Sequence, residues 1–531
     1  MTQFAPPHIE AQPLNEAVPA LTVPEFIRQR MRRDPAAVAI VDGMTGREIR
    51  YGELDRLIGR CAAGLAAQGF RPADTLFICS PNSIEWVIVA LGALAAGGRV
   101  SGANPAYTVP ELTHQMRDCG ASFAFALPAL LDNVRQAAAA AAVGCEHVII
   151  DSEAEGCVSL AALLANTDAE PAVPQNPDAL ALLPYSSGTT GLSKGVMLTH
   201  RAVVSNVCHV LQGTEWPDHG VVVLAFLPMF HAMGFALTTL CGLACNAKLV
   251  TLPRFEPQAF LQAIATHRVT DLIAVPPVMQ FLAAHPMIDQ FDLKSLRIVG
   301  AGGAPMSAAL EARVAQRLGV PCTQGYGMTE VTAVMTLGWT TATMRAGSVG
   351  RPVPGVQMRV VDPASDQDLP CGQEGELWFR GPQLFSGYLN NPQASAATLT
   401  ADGWIRTGDL GHVDADGFVF ITDRLKELIK VKGMQVAPAE LEALLLTHPA
   451  VADAAVIGRP DERAGEVAVG YLVARGALDI NALKAWLAER VAPHKQLADV
   501  VLVEAIPKNP SGKLLRRMLR AQDAARAGKF A

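Results

Sequence analysis

What this sequence lacks excludes several functions. Positive charge is not in surplus: 43 Lys and Arg face 50 Asp and Glu, for a net charge of −7. No basic field therefore marks nucleic acid as a partner. Charged residues are 18% and aromatics 6%, while half the chain is hydrophobic, as in a well-packed globular protein. The ten cysteines form no Cys-x-x-Cys pair, and Cys241 and Cys245, four apart, have no second pair to match. Buried free thiols in a reducing cytoplasm are expected, rather than zinc ligands. The N-terminal residues show neither the basic nor the apolar region of a signal peptide. One stretch, 221–245, is uncharged and long enough to span a bilayer. Pro228 and His231 interrupt it, so a strand followed by a helix is expected there, and no integral membrane segment.

An intact Walker loop is also missing. Residues 185–195 read YSSGTTGLSKG. A Walker loop needs Gly-x-x-x-x-Gly-Lys-[Ser/Thr]. Here Ser193 stands where the second glycine belongs, and Gly195 stands where the magnesium-binding hydroxyl belongs. The loop can still cradle phosphate. Ser186, Ser187, Thr189 and Thr190 supply hydroxyls, Gly188 lets the backbone approach closely, and Lys194 supplies a cation. Hydroxyl-rich loops are often linkers, but Lys194 and the strand-like GVMLTH that follows weaken that reading.

At 531 residues the chain exceeds one ordinary core, so two or more domains are expected. Up to about residue 420, short apolar strands such as TLFIC, LIAV and LRIVGAG alternate with helix-like runs. That pattern implies α/β layers around parallel sheets, with ligands beyond the carboxyl ends of strands. The last hundred residues read as a compact α+β module. The boundary is placed at Asp423-Arg424, giving a large N-terminal domain over 1–423 and a small C-terminal domain over 424–531.

Six stretches carry chemistry in a fixed order: YSSGTTGLSKGV (185–196), LPMFHAMGF (227–235), GYGMTE (325–330), RTGDL (406–410), DRLKELIKVKGMQVAPAELE (423–442) and NPSGKLLRR (509–517). Together they resemble the adenylate-forming enzymes, which include acyl-CoA synthetases, firefly luciferases and peptide-synthetase adenylation domains. Within that group they are most similar to 4-coumarate–CoA ligases and their acyl-CoA synthetase relatives. The resemblance implies a layered α/β N-terminal domain with a mobile C-terminal lid. It also implies an ATP-dependent acid–CoA ligase: an acid and ATP give acyl-AMP and pyrophosphate, then CoA displaces AMP. The co-substrates would be ATP and coenzyme A, with Mg²⁺. The alternative is a stand-alone enzyme loading a carrier protein.

The resemblance also assigns residues. Catalytic roles fall to Lys513, His231, Glu330 and Thr190. The 186–190 loop and Lys194 would hold the β- and γ-phosphates. Gln324 and Gly325 would bind ATP or AMP, Tyr326 would stack on adenine, and Thr329 would bond the α-phosphate. Glu330 would help hold Mg²⁺, a hard cation suited to oxygen. Asp409 can accept from both ribose hydroxyls, with Arg424 as the second ribose contact. Lys513 would bridge the substrate carboxylate and phosphate. Rotation at a hinge, Lys426, would exchange Lys513 for the 430–435 segment. There Lys430 and Gln435 would meet the acyl-adenylate, and Lys432 and Gly433 would meet CoA together with Arg254. Read without the resemblance, Thr329-Glu330 is a helix cap, Asp409 a turn residue and KELIKVKG a solvated strand face.

The matched acid-pocket positions are Met233, Leu237, Gly300, Gly303, Gly327, Ala333 and Val334. In 4-coumarate–CoA ligases a tyrosine at the position of Met233 binds the phenol. This lining offers a phenol no partner, so the expected substrate is an apolar aryl, cinnamate-like or medium-to-long fatty acid.

Overall fold

The computed structural model describes residues 8–527, apart from 12, 146, 187–192, 215, 218–219, 341, 433, 462 and 509–511. Ser187, Gly188, Thr189, Thr190 and Gly433 therefore lie outside the described residues.

Two large sheets share one hydrophobic core. The first has seven strands, in the order 198–199, 180–182, 99–103, 75–79, 121–126, 147–150 and 158–159. All its pairings but the first are parallel. The second has nine strands. Its parallel centre runs 322–326, 298–301, 271–274, 222–225, 248–251 and 38–42, with antiparallel strands at both edges. The strands 75–79, 271–274 and 298–301 are buried throughout, as parallel strands covered on both faces must be. Helix Ile84–Ala95 packs between the layers, and small residues such as Gly92 let it approach helix Tyr51–Ala67 closely.

The 221–245 run resolves as expected into strand Val222–Ala225 and a helical segment. Met233–Leu240 winds as a wide π-type turn. The hydroxyls of Thr238 and Thr239 donate to the carbonyls of Met233 and Gly234, five residues back, at 3.0 and 2.9 Å. Such turns concentrate at functional sites. Among the described residues no helix is long and apolar enough to cross a membrane. All ten cysteines are free thiols.

A third, antiparallel sheet runs 8–10, 357–361, 375–380, 405–413 and 419–424. Asp414–Gly417 makes the hairpin turn between its last two strands, as the sequence predicts. A fourth sheet, 434–436, 429–431, 465–474, 451–461 and 497–502, forms with two hydrophobic clusters that contain only residues from 429 onward. Arg424 is still laddered to Asp409 in the third sheet, so the connection between the two sheets is 425–428. The ladder hydrogen bonds, rather than the composition change, set that end.

Candidate active site

Asp409 and Arg424 stand opposite each other on the antiparallel strands 405–413 and 419–424. Arg424 Nε reaches Asp409 Oδ1 at 3.0 Å, and Tyr326 Oη donates to Oδ2 at 2.5 Å. Asp409 is almost fully buried. Its own N–H is turned onto Thr407 Oγ1, which fixes the carboxylate toward the end of strand Cys322–Tyr326.

Glu330 lies buried on the turn that follows that strand. Its Oε1 accepts from Tyr388 Oη at 2.8 Å and from Ser186 Oγ at 3.2 Å. Thr329 opens the same turn. Gly327 has no room for a side chain, since a Cβ there would lie 1.7 Å from the Ala333 carbonyl oxygen. That contact folds Ala333 and Val334 back over the GYGMTE turn.

Lys194 pairs with Ser186 across the short hairpin that brackets the hydroxyl loop. Its ammonium sits over the Tyr388 ring, 4.6 Å from the centroid. The base of the hairpin is anchored. Tyr185 Oη donates to Asp118 Oδ2 at 2.6 Å, Asn390 Nδ2 donates to Asp118 Oδ1 at 3.0 Å, and His114 Nε2 meets Ser193 O at 3.1 Å.

Lys513 reaches this group from near the C-terminus. The preceding Gly512 lies against Pro277, where a Cβ would be 2.8 Å from Pro277 Cδ. Burial and the nearby Arg424 guanidinium push the Lys513 ammonium down to about 8, against the opposing pull of Asp409, Glu330 and Glu427. The lysine is thus within electrostatic range of the residues above, although it lies about a hundred residues from Asp409 in the chain. Burial likewise pushes the His231 imidazole down to about 4, so it is neutral near pH 7. Its ring leans on Phe230 at 4.5 Å.

The other positions divide. Lys430 and Gln435 pair across the hairpin 429–431/434–436, and Lys432 turns it with φ 51°. All three are exposed, as is Arg254, whereas Lys513 is half-buried. Lys426 falls in the 425–428 connection. Leu425 N–H binds Gly408 O, Arg520 pairs with Glu427, and Asp423 Oδ2 accepts from Ala439 N. The Gln324 side-chain oxygen accepts from Met306 N–H, and its amide donates to Glu311 Oε2.

Of the positions expected to line an acid pocket, Leu237 and Val334 are buried, and Met233 and Ala333 are packed against the core. The glycine that meets Met233 is Gly302, not among the positions expected: a Cβ there would lie 3.2 Å from Met233 Sδ. Tyr388 is the other omission. Its signal was the Gly-Tyr-Leu-Asn stretch at 387–390, which carries no titratable or phosphate-binding pattern.

Comparison with known proteins agrees with this geometry. The model of the AMP-binding enzyme family matches residues 27–389, and that of the AMP-binding enzyme C-terminal domain matches 440–513. A 4-coumarate–CoA ligase of Oryza sativa subsp. japonica is 41% identical over 95% of each chain. One from Nicotiana tabacum is 40% identical over 92% of this chain and 91% of its own. Among solved structures, o-succinylbenzoate CoA synthetase from Bacillus subtilis, in complex with its acyl-adenylate intermediate, superposes with a TM-score of 0.81. It is 27% identical and covers 93% of this chain and 97% of its own. This chain therefore belongs to the AMP-binding enzyme family, the adenylate-forming enzymes, and within it to the 4-coumarate–CoA ligase-like group.

Proposed function

We propose that this protein joins an apolar aryl, cinnamate-like or medium-to-long fatty acid to coenzyme A. The reaction class is that of an AMP-forming acid–CoA ligase. The acid, the residue roles, the metal and the compartment are the proposal. Relatives that are CoA ligases along nearly the full chain disfavour the carrier-loading alternative. The observation that carries the reading is the placement of a half-buried Lys513 within electrostatic range of Arg424, Asp409 and Glu330.

A carboxylate is a poor acyl donor, and its attack on the α-phosphate concentrates negative charge on phosphate oxygens. Lys513 would hold the acid carboxylate against that phosphate. Lys194, Ser186 and the loop 187–190 would hold the leaving pyrophosphate, with Thr190 and Thr329 donating to phosphate oxygens. Asp409 and Arg424 would take the ribose hydroxyls. Tyr326 would flank the adenine, and neutral His231 would stand at the acid carboxylate. Among the described residues no cluster of three or more His, Cys, Asp or Glu could hold a metal by itself. Glu330 is an all-oxygen ligand beside the phosphate hairpin, so it suits Mg²⁺ that arrives with ATP and neutralises phosphate charge.

The second half-reaction needs a thiol where Lys513 now sits. We assign it to rotation of the small domain about Lys426, with domains of about 1–423 and 424–531. Rotation would bring Lys430 and Gln435 to the acyl-adenylate, and Lys432, Gly433 and Arg254 to CoA. Ten free thiols fit a reducing cytoplasm.

The test is CoA thioester and AMP formation with ATP and Mg²⁺ across acetate, hexanoate, palmitate, benzoate, cinnamate and 4-coumarate. AMP release that requires both acid and CoA supports the ligase. A clear win for 4-coumarate would overturn the apolar-acid reading. Acid-dependent pyrophosphate exchange without a CoA product would overturn the acceptor.

A further inference from the structure

Strand Ile298–Ala301 and its extension place Gly300 and Gly302 two residues apart, so both face the same side. Gly302 meets Met233, which marks that side as the acid pocket. Gly300 lies one step deeper along the strand, and a Cβ there would fall 2.2 Å from the Trp339 ring. The indole thus fills the space a side chain at 300 would take. Trp339 is buried and does not stand alone. The Trp216 ring meets it edge-on, with centroids 6.1 Å apart. Trp216 Nε1 in turn donates to Asp271 Oδ1 at 3.0 Å. Asp271 is held by Thr270 and Arg297, both at 2.6 Å. A buried ring braced by a second, anchored ring has little freedom to swing aside.

We propose that Trp339 is the specificity-determining floor of the acid pocket. It limits the enzyme to short, flat apolar acids, of about the length of cinnamate or hexanoate, and excludes long fatty chains. This rests on the ligase reading above and narrows its substrate range. Met233 and Leu237 supply apolar side walls, Gly302 leaves room for the Met233 thioether to lie against the strand, and the indole under Gly300 sets the depth. Glycine at 300 is required because the floor occupies its side-chain volume.

The experiment compares kcat/KM for cinnamate, hexanoate and palmitate in wild type, Trp339→Ala, Trp339→Phe and Gly300→Ala, with melting temperature measured for each. Wild type should prefer cinnamate and hexanoate over palmitate by at least about a hundredfold, since several methylenes are excluded. Trp339→Ala should raise the palmitate-to-hexanoate ratio at least about tenfold. Trp339→Phe retains more of the core and should move the ratio the same way by less. Gly300→Ala should lower turnover of cinnamate more than of hexanoate, because it displaces the indole into the pocket. A purely structural role for Trp339 would lower all three acids together and leave the ratio unmoved, which overturns the proposal. So does wild-type turnover of palmitate equal to that of hexanoate. If Trp339→Ala does not fold, an unmoved ratio in Trp339→Phe overturns it. Failure of the wild type to make a CoA thioester with any acid would instead overturn the ligase reading itself.

Discussion

Tyr388 joins Glu330 to Lys194: its hydroxyl donates to Glu330 Oε1 at 2.8 Å while its ring carries the Lys194 ammonium at 4.6 Å. One buried side chain thus positions the anion proposed to meet Mg²⁺ and the cation proposed to meet pyrophosphate. The two contacts can be separated. Tyr388→Phe keeps the ring and removes the hydroxyl, so among the described residues Glu330 Oε1 is left with the Ser186 donor at 3.2 Å. A hydrogen bond to a charged group contributes about 1.5–3 kcal/mol, so the concentration of Mg²⁺ giving half-maximal pyrophosphate exchange should rise roughly tenfold or more. Mn²⁺ binding in the presence of ATP, followed by electron paramagnetic resonance, should weaken in parallel. Tyr388→Leu should add a loss in ATP affinity through Lys194. Unchanged metal dependence in Tyr388→Phe would remove the tyrosine from this role.

The Asp409 carboxylate has two fixed protein partners, and a nucleotide ribose would compete with or extend them. Asp409→Asn keeps the shape and loses the charge. It should raise KM for ATP by roughly 10- to 100-fold, while KM for the acid and CoA changes little. The cost to stability should be modest, about 1–3 kcal/mol. The Arg424 side chain is 36% exposed, and water can solvate it once its partner weakens. Asp409→Ala, which also leaves Tyr326 Oη without its acceptor, should lower the melting temperature further. Equal loss of affinity for ATP and for the acid would show a general collapse rather than a ribose site.

The parallel α/β layers were legible because their strands are continuous apolar runs between Gly/Pro turns, and burial on both faces demands that pattern. The RTGDL and GYGMTE motifs were legible as text, yet their meeting through Tyr326 and Asp409 depends on the third sheet packing beside the second. No local spacing encodes that. Tyr388 escaped notice because a tyrosine in a Gly-Tyr-Leu-Asn loop reads as core, and only the fold puts its hydroxyl on Glu330. The contact of Gly302 with Met233 was not legible, because which of several adjacent glycines meets a distant side chain depends on strand phase. Trp339 lies well outside every motif, and its importance comes from the glycine across the sheet.

Lys432 is exposed at the turn of its hairpin while Lys513 is half-buried near Asp409 and Glu330, so the two should serve different steps. Lys432→Ala should raise KM for CoA several-fold, corresponding to about 1 kcal/mol for one exposed charge pair. It should leave acid-dependent pyrophosphate exchange within about twofold of wild type. The effect on KM should shrink as salt is raised, because exposed charges are screened. An unchanged KM for CoA would take Lys432 out of the thiol site, and a fall in pyrophosphate exchange would place it in the first half-reaction.

Lys513 gives the sharpest pH prediction, and its sign follows from the groups around it. Burial and Arg424 favour the neutral amine, while Asp409, Glu330 and Glu427 favour the ammonium; the first pair dominates and sets the group at about 8. The ammonium is the form that can bridge two anions, so it is present below that pH and lost above it. In the free enzyme, kcat/KM for acyl-adenylate formation should therefore fall as pH rises through about 8. Bound ATP adds negative charge and stabilises the ammonium, so the same limb in kcat should lie at higher pH. Lys513→Arg should abolish the limb in kcat/KM, though it should be slower, because guanidinium does not titrate there. Lys513→Ala should stop acyl-AMP formation but leave thioester formation from supplied acyl-AMP largely intact, with no limb near pH 8 from this group. If both half-reactions fell together in Lys513→Ala, exchange of Lys513 for the 430–435 segment would be excluded.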